Sequence, residues 1–241
     1  MVNGYPFSFE EGFVHQACEL LRQRRLSIEP LLEAPVKTTQ LDRIAAALER
    51  GSPRAAVLQL GGLETVLLLK DVMRRRLGLA VPKREYSNHL HTSPFRNWKT
   101  HTRWRVMVTA KRLADALLGH PIVDLAEYRR NLRRMLELVR ERTPGPVLTL
   151  GLFPSVEPVS RYYRNRLEPL FAEETHRAGV AYLSVAEAWR ASGKPPDIFH
   201  DSLHLNVRGH QWLAPLVANA LHECLRGHMT PVRAHTQASG C

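Results

Sequence analysis

Short, nearly continuous apolar runs alternate with helical apolar periods along most of the chain, and this alternation limits the possible folds more than any other feature. Three such runs are Ala55–Leu60, Val147–Leu152 and Val180–Ser184. Short apolar runs of this kind are typical of strands buried on both faces, so the alternation predicts an α/β domain with a central parallel sheet and crossover helices. Ser27–Ala34 is a weaker strand prediction, because Pro30 suits only an edge or the start of a strand.

Helices are predicted where apolar residues recur with a helical period. In segment 10–25 the period rests on Phe13, Ala17, Leu20 and Leu21, which would form one buried face. The other predicted helices are Thr39–Arg50, Val66–Leu77, 105–118, 125–142, Arg161–Arg177 and Asn206–Arg226.

The length and composition favour one globular domain. Hydrophobic residues make up 44% and charged residues 24% of the 241 residues, which excludes disordered and low-complexity chains. We expect a single domain over 1–228 and a flexible C-terminal tail over 229–241. Residues 80–104 form a basic, aperiodic stretch with two tryptophans, which predicts a lid or insertion loop. Its aromatic residues have two possible roles: they could form a small core within the loop, or they could contact the substrate.

The sequence carries no sign of a membrane span, a secretory signal or a cofactor. Its apolar runs are shorter than the ~18 residues that a membrane-spanning helix needs. The three cysteines are too few and too scattered for a disulfide framework or a zinc ribbon. We therefore expect a soluble, cytoplasmic protein without a metal or other cofactor.

The net charge of +11 and the pI of about 10.1 invite a nucleic-acid hypothesis. Of the 34 basic residues, however, 28 are arginines spread along helical segments rather than gathered in one region. Solvated helix faces account for such a distribution, and no nucleic-acid-binding motif accompanies it. We therefore expect a small-molecule or acylated substrate rather than a nucleic acid as the partner.

The most informative motif precedes the last predicted helix, where Asp201-Ser202-Leu203-His204-Leu205-Asn206-Val207-Arg208-Gly209-His210 occurs. An acid three residues before a histidine can orient the imidazole and leave Nε2 available as a general base. A hydrogen bond that only stabilises the turn is the alternative role for this pair. Asn206 is expected to cap the helix, and Gly209 to allow close packing.

This block resembles the last sequence block of the SGNH (GDSL-type) hydrolases, which are esterases, lipases, thioesterases and carbohydrate deacetylases. The resemblance implies a three-layer αβα, flavodoxin-like sandwich and a catalytic triad to which Asp201 and His204 belong. A second pair, Asp197 and His200, lacks the residues that follow in the block, and we interpret it as structural.

The nucleophile that the resemblance implies is Ser8, in Pro6-Phe7-Ser8-Phe9-Glu10-Glu11-Gly12. This segment keeps the serine and the glycine four residues later but lacks the leading Gly-Asp of the family block. The strand before it would span only Val2–Tyr5, which favours a start upstream of Met1. A plain helix cap by Ser8 is the alternative, because acids follow it in the first turn.

Gly61 and Gly62, after the strand Ala55–Leu60, resemble the family block that supplies oxyanion or substrate contacts. Leu63 stands where the family has an asparagine donor, so backbone N–H groups of the two glycines are the expected replacements. A simple turn at the end of the strand is the alternative for this pair.

Together these residues predict a serine hydrolase that acts on an ester, thioester or acetyl group through Ser8, His204 and Asp201, with acyl transfer as a variant. A catalytically degenerate relative that binds an acylated or carbohydrate ligand is the alternative. A metal site at His200 and His204, with His210 nearby, is a further and weaker alternative, since the two histidines are four residues apart.

Overall fold

The computed structural model describes residues 8–33, 37–60, 106, 109, 113, 125–155, 158–200 and 204–227. Over these residues the chain forms strands between helices in the alternating order that the sequence predicts. The elements are α1 (Phe13–Gln23), α2 (Leu41–Gly51), β1 (Ala56–Gln59), α3 (Leu125–Arg142), β2 (Val147–Leu150), α4 (Pro158–Arg177), β3 (Ala181–Leu183), α5 (Val185–Ala191), a 3-10 helix (Pro196–Ile198) and α6 (Val207–Leu225).

The described part of the sheet is parallel throughout, with the order β1-β2-β3. Gln59 at the end of β1 aligns with Leu150 of β2, which in turn aligns with Leu183 of β3. The three strands therefore end together, and their carboxyl ends form one edge. Parallel α/β sheets bind ligands outside this edge, so the segments that follow the strands are the first place to look for a site.

Helices cover both faces of the sheet. On one face Leu58 and Val147 pack with residues of α2, α3 and α4, such as Leu136 and Phe171. On the other face the buried cluster comprises Leu148 and Leu150 from β2 and Phe13, Ala17, Leu21, Val185, Leu213, Val217 and Ala218 from α1, α5 and α6. Since successive strand residues face opposite sides, β2 contributes to both clusters and is buried along its length. The predicted three-layer αβα sandwich is confirmed.

Most predicted elements are confirmed, with ends shifted by a few residues, but the strand at Ser27–Ala34 is wrong over its described part. Residues 27–33 form no strand. Arg22 donates two side-chain hydrogen bonds to the Ile28 carbonyl, at 3.1 and 2.7 Å, and thereby engages a carbonyl that a sheet ladder would need. Pro30 has no N–H to offer a neighbouring strand.

Helix α5 and the 3-10 helix are additions to the predicted elements. Ser184, which the sequence assigned to the end of a strand, is the N-cap of α5, and its side chain accepts the Glu187 N–H at 3.2 Å. The spacing Ser-x-x-Glu is a known start signal of helices. With seven residues, α5 is too short to show a clear apolar period, which explains why the pattern did not reveal it.

Several arginines of the basic chain are neutralised between α3 and α4. The side chain of Glu174 is fully buried and lies 3.1 Å from Arg129, 3.0 Å from Arg133 and 2.8 Å from Arg177. Glu173 forms further ion pairs with Arg129 and Arg177. Hydrogen bonding to Glu174 raises the pKa of Arg133. These contacts agree with the interpretation that the arginines serve helix faces.

Several predictions lie outside the described residues. They concern the strand Val2–Tyr5, the site residues Gly61 and Gly62, the helix Val66–Leu77, the loop 80–104 and the tail 229–241. Of the helix 105–118 only positions 106, 109 and 113 are described, each as helical. Among the described residues, no helix has the length and apolar character that crossing a membrane requires.

Candidate active site

His204 lies in a tight antiparallel turn between the 3-10 helix and α6. Phe199 and Leu205 form an isolated antiparallel bridge, and the His200 N–H donates to the His204 carbonyl at 2.8 Å. The Asn206 N–H closes the turn by donating to the Ile198 carbonyl at 2.9 Å. Backbone hydrogen bonds therefore fix the carbonyl of the predicted general base and the residue two positions after it.

Asn206 joins this turn to α6, as predicted for a helix cap. Its Oδ1 accepts the Gly209 N–H at 2.9 Å, and this bond satisfies a donor of the first helical turn. Its Nδ2 donates to the Phe199 carbonyl at 3.3 Å and to the Asp197 carbonyl at 2.5 Å. One side chain thus holds both the start of α6 and the far strand of the turn, so the expected cap is confirmed.

Asn206→Ala is expected to lower the free energy of unfolding by about 2 kcal/mol, because it removes a cap and two bonds to backbone carbonyls. Urea denaturation measures this loss. Asn206→Asp is the matched control, since it keeps the acceptor for the Gly209 N–H and removes the Nδ2 donors. Its free energy of unfolding should lie between that of the wild type and that of Asn206→Ala. A loss below about 0.5 kcal/mol for Asn206→Ala would contradict the assigned cap.

Gly209 allows the turn to lie directly against α6. A Cβ atom at this position would lie 2.2 Å from the Ile198 carbonyl oxygen and 2.9 Å from the Leu205 Cβ atom. Neither atom is the far end of a flexible side chain, so a larger residue would force the backbone of the turn away from the helix. The prediction that Gly209 permits close packing is confirmed, and the packed partner is the turn that carries His204.

Asp201 lies outside the described residues, so its role as the partner of His204 remains a prediction. The upstream pair is described. The carboxylate of Asp197 forms an ion pair with Arg208 at 2.6 Å, across the start of α6. His200 contributes its backbone N–H to the turn. Both contacts fit the structural role expected for this second pair.

The geometry of the turn also bears on the alternative of a metal site. His200 and His204 occupy opposite positions of the turn and do not lie on one helix, because the His200 N–H donates to the His204 carbonyl. Within the described ranges, no three side chains of His, Cys, Asp or Glu are grouped so that they could hold a metal ion.

Ser8 lies at the entry to α1 and forms a reciprocal hydrogen-bond pair with Glu11. The Glu11 N–H donates to Ser8 Oγ at 3.4 Å, and the Ser8 N–H donates to a Glu11 carboxylate oxygen at 3.0 Å. This arrangement is a capping box, although α1 itself begins only at Phe13. The pKa of the neighbouring Glu10 is lowered, because its carboxylate accepts hydrogen bonds from the Glu10 backbone and from the Ser8 side chain.

The capping box has consequences for the chemistry that Ser8 can perform. Its N–H, an expected oxyanion donor, is engaged by the Glu11 carboxylate in this conformation. The Glu10 carboxylate interacts with the Ser8 side chain, and the Glu11 carboxylate accepts the Ser8 N–H. Negative charge at this distance opposes the negative charge that develops during acyl transfer. Ser8 thus caps the turn that precedes α1 rather than the helix itself, whose N-cap is Gly12, and a nucleophilic Ser8 requires Glu11 to turn away.

The start of α1 meets the start of α6. The Phe13 N–H donates to His210 Nδ1 at 3.2 Å, and the two rings stack at 6.0 Å with an angle of 10° between their planes. Phe153, shortly after the carboxyl end of β2, contacts the Phe13 ring edge-on at 6.0 Å. The segment of Ser8 and the segment of His204 therefore approach the same edge of the sheet.

His210 is fully buried, and burial lowers the pKa of its imidazole to about 4. Its Nε2 has no hydrogen-bond partner among the described residues, and the same is true of Oε1 of Gln59. From the sequence, His210 is indicated only as a residue near the weak metal-site alternative of His200 and His204. Its role as acceptor for Phe13 depends on a contact between residues 197 positions apart, which no local pattern reveals.

Glu168 is a partly buried carboxylate that no local sequence pattern indicates, and it lies behind the carboxyl edge. It accepts hydrogen bonds from the Leu152 N–H at 2.7 Å, from the Tyr182 hydroxyl and from the Ser184 hydroxyl at 3.3 Å. Burial raises the pKa of Glu168 above its usual range. A Cβ atom at Gly151 would lie 2.6 Å from this carboxylate, so the glycine is required for the approach.

The segment after β2 is held by two side chains of α4. Glu168 holds its first residues, and the buried guanidinium of Arg164 donates to the carbonyls of Phe153 and Pro154, the latter at 3.1 Å. The segment 151–155 is buried throughout and borders Phe13. It therefore supplies a rigid wall at the edge where the two predicted catalytic segments meet.

Comparison with known proteins identifies the family. The model of the GDSL-like lipase/acylhydrolase family matches residues 30–212, which is more than half of the chain. The chain belongs to this family. The matched range contains β1 to β3 and the turn of His204, and it begins after Ser8. No curated protein sequence matches this family member.

Solved structures agree with the family assignment at the level of the fold. TesA is 16% identical over 92% of this chain and 94% of that chain, with a TM-score of 0.56. LAE5, an alpha/beta hydrolase enzyme from the metagenome of Lake Arreo in Spain, is 17% identical over 89% and 83%, with a TM-score of 0.52. Axe2, an acetylxylan esterase from Geobacillus stearothermophilus, is 16% identical over 87% and 80%, with a TM-score of 0.51.

Proposed function

We propose that this member of the GDSL-like family hydrolyses an ester, thioester or acetyl group through an acyl-enzyme on Ser8, with His204 as general base and Asp201 as its orienting acid. The observation that carries the proposal is the contact between Phe13 and His210. It brings the starts of α1 and α6, and with them the segments of Ser8 and His204, to the edge of the sheet where α/β proteins bind ligands.

In the proposed reaction, Ser8 Oγ attacks the carbonyl carbon of the substrate while His204 accepts the hydroxyl proton. The tetrahedral intermediate carries a negative charge, which backbone N–H groups of Gly61, Gly62 and Ser8 would stabilise. His204 then gives the proton to the leaving group. Water, or another acceptor in an acyl transfer, attacks the acyl-enzyme with His204 again as base. Before the first step, the Glu11 carboxylate has to leave the Ser8 N–H.

A small fluorophosphonate tests the proposed nucleophile directly, because it modifies only an activated serine. The intact masses of the wild type, Ser8→Ala and Ser27→Ala are compared after exposure. Ser27 is another exposed serine and serves as the matched control. We expect one adduct on the wild type and on Ser27→Ala and none on Ser8→Ala. An adduct on all three proteins would assign the chemistry to another serine and would refute the role of Ser8.

A specific observation also favours a second function, the binding of an acylated or carbohydrate ligand without catalysis. Ser8 is engaged in a capping box with Glu11, and the family match begins only at residue 30. Under this alternative the folded wild type shows no adduct, and Glu11→Ala, which releases the Ser8 N–H, shows none either. Acetylated sugars should then raise the melting temperature of the wild type without being hydrolysed.

A further inference from the structure

Helix α1 begins without a cap from its own side chains. The first N–H groups of a helix have no partner within the helix, and a side chain just before it normally satisfies one of them. The N-cap residue of α1 is Gly12, and it makes no side-chain hydrogen bond. The Phe13 N–H, the first of the helix, is satisfied by His210 Nδ1 of α6 at 3.2 Å. The cap of α1 is therefore supplied by another helix.

The chemistry of the imidazole suits this role. Nδ1 accepts a hydrogen bond and so carries no proton, which places the proton of the neutral ring on Nε2. The ring is fully buried in the cluster formed by α1, α6 and the sheet, with the Phe13 ring stacked on it. A protonated ring would lose the acceptor and would add positive charge at the starts of two helices, where the helix dipole disfavours it.

The two helices also run side by side beyond this contact. Near the other end of α1, Arg24 donates to Asn219 of α6 at 2.5 Å. Contacts at residues 13 and 24 of one helix thus fall on residues 210 and 219 of the other, so the helices are parallel. The start of α1 is held against α6 by the apolar packing of Phe13 and Ala17 and by the buried hydrogen bond to His210, whereas the contact at Arg24 is exposed.

We infer that His210 is a positioning residue that holds the start of α1, and thereby Ser8, in register with the turn of His204. The inference rests on the proposed function, since Ser8 and His204 are its reacting groups. Phe13 follows Ser8 by five residues and His210 follows His204 by six, so one hydrogen bond links the two segments through short stretches of chain. His210 acts through this link and does not itself contact the substrate.

The test compares His210→Asn with His210→Leu. The two side chains are nearly equal in size and leave the same space in the core, but only asparagine can accept the Phe13 N–H. Amide hydrogen exchange of peptides containing Phe13 reports the link without reference to activity. The rate of Ser8 labelling by fluorophosphonate, together with kcat and KM for a p-nitrophenyl ester, reports its effect on the site.

We expect faster exchange at Phe13 and a roughly tenfold to 100-fold lower labelling rate and kcat in His210→Leu, with KM little changed, because misplacement of a reacting group costs rate rather than binding. His210→Asn should remain within about threefold of the wild type. Unchanged exchange and labelling in His210→Leu would overturn the inference. His210→Phe, which keeps a ring in the core but cannot accept, replaces the leucine variant if circular dichroism shows that variant to be unfolded.

The two measurements separate this inference from the proposed function. If the wild type takes no label at Ser8, the proposed nucleophile is wrong. If hydrogen exchange at Phe13 is the same in both variants, the positioning role is wrong, whatever the labelling result. Equal unfolding midpoints of the two variants would exclude a difference in stability as the cause of a lower labelling rate.

Discussion

Gly209→Ala is expected to lower the free energy of unfolding by about 3 kcal/mol, at the upper end of the usual cost of overpacking. The added Cβ atom would lie 2.2 Å from the Ile198 carbonyl oxygen, and backbone has to move to make room for it. The backbone that moves belongs to the turn of His204. We therefore expect the rate of Ser8 labelling to fall as well, in protein that is still folded. Urea denaturation and labelling kinetics measure the two effects.

Gly51→Ala is the matched control for this prediction. It introduces the same Cβ atom into the last residue of α2, where the nearest atom is Cδ2 of Leu31, also at 2.2 Å. Leu31 is 55% exposed, so its side chain can turn aside at little cost. The control should lose less than about 1 kcal/mol and keep full labelling. Equal losses in the two variants would show that the turn of His204 yields as easily as an exposed leucine.

Acidification from pH 6.5 to pH 4 is expected to destabilise the protein through His210 by about 3 kcal/mol. Burial lowers the pKa of His210 from its ordinary value of 6.5 to about 4 in the folded state. Between these values the unfolded chain binds a proton at this residue and the folded chain does not, so stability falls as the pH falls. Above pH 6.5 the ring is neutral in both states, and its contribution is fully present.

Other groups titrate over the same range, so the measurement has to be a difference. The unfolding free energy of the wild type minus that of His210→Leu is followed by urea denaturation from pH 7.5 to pH 4. We expect this difference to shrink steadily below pH 6.5. Leu213→Ala changes the same buried cluster without removing an ionisable group and serves as the control, for which the corresponding difference should stay flat. A flat difference for His210→Leu would contradict a buried, neutral imidazole.

Whether this family member is a hydrolase or a ligand-binding protein depends, under the proposed function, on the chemistry available to Ser8. The family match covers the sheet and the turn of His204 but not the N-terminal segment. In that segment Glu11 engages the N–H that an oxyanion hole would use. The proposed hydrolase requires both the release of Ser8 from Glu11 and an activated hydroxyl, and the labelling of the wild type and of Glu11→Ala tests these two requirements.

The local patterns of the chain predicted most of the described fold. The helix 125–142 is observed as Leu125–Arg142. The strand predicted from Val147 begins there and ends two residues early, and the strand predicted at 180–184 is one residue shorter at each end. The apolar period of the helices and the capping residue Asn206 involve residues that are close in sequence. The positions of the helices could therefore be predicted from the sequence. The strand at Ser27–Ala34 failed because the Ile28 carbonyl is taken by the side chain of Arg22. No pattern within the strand reveals that bond.

By itself, the sequence determined the αβα architecture, the start of α6 at the capped Asn206, and the resemblance to the GDSL-type family in the block around His204. These features depend on residues within a few positions of one another. The tertiary structure alone decided that His210 caps α1, that Glu168 anchors the segment after β2, and that Ser8 shares its hydrogen bonds with Glu11. Such contacts depend on which helices pack together and which rotamers their side chains adopt. Both are set by the folded core rather than by sequence spacing.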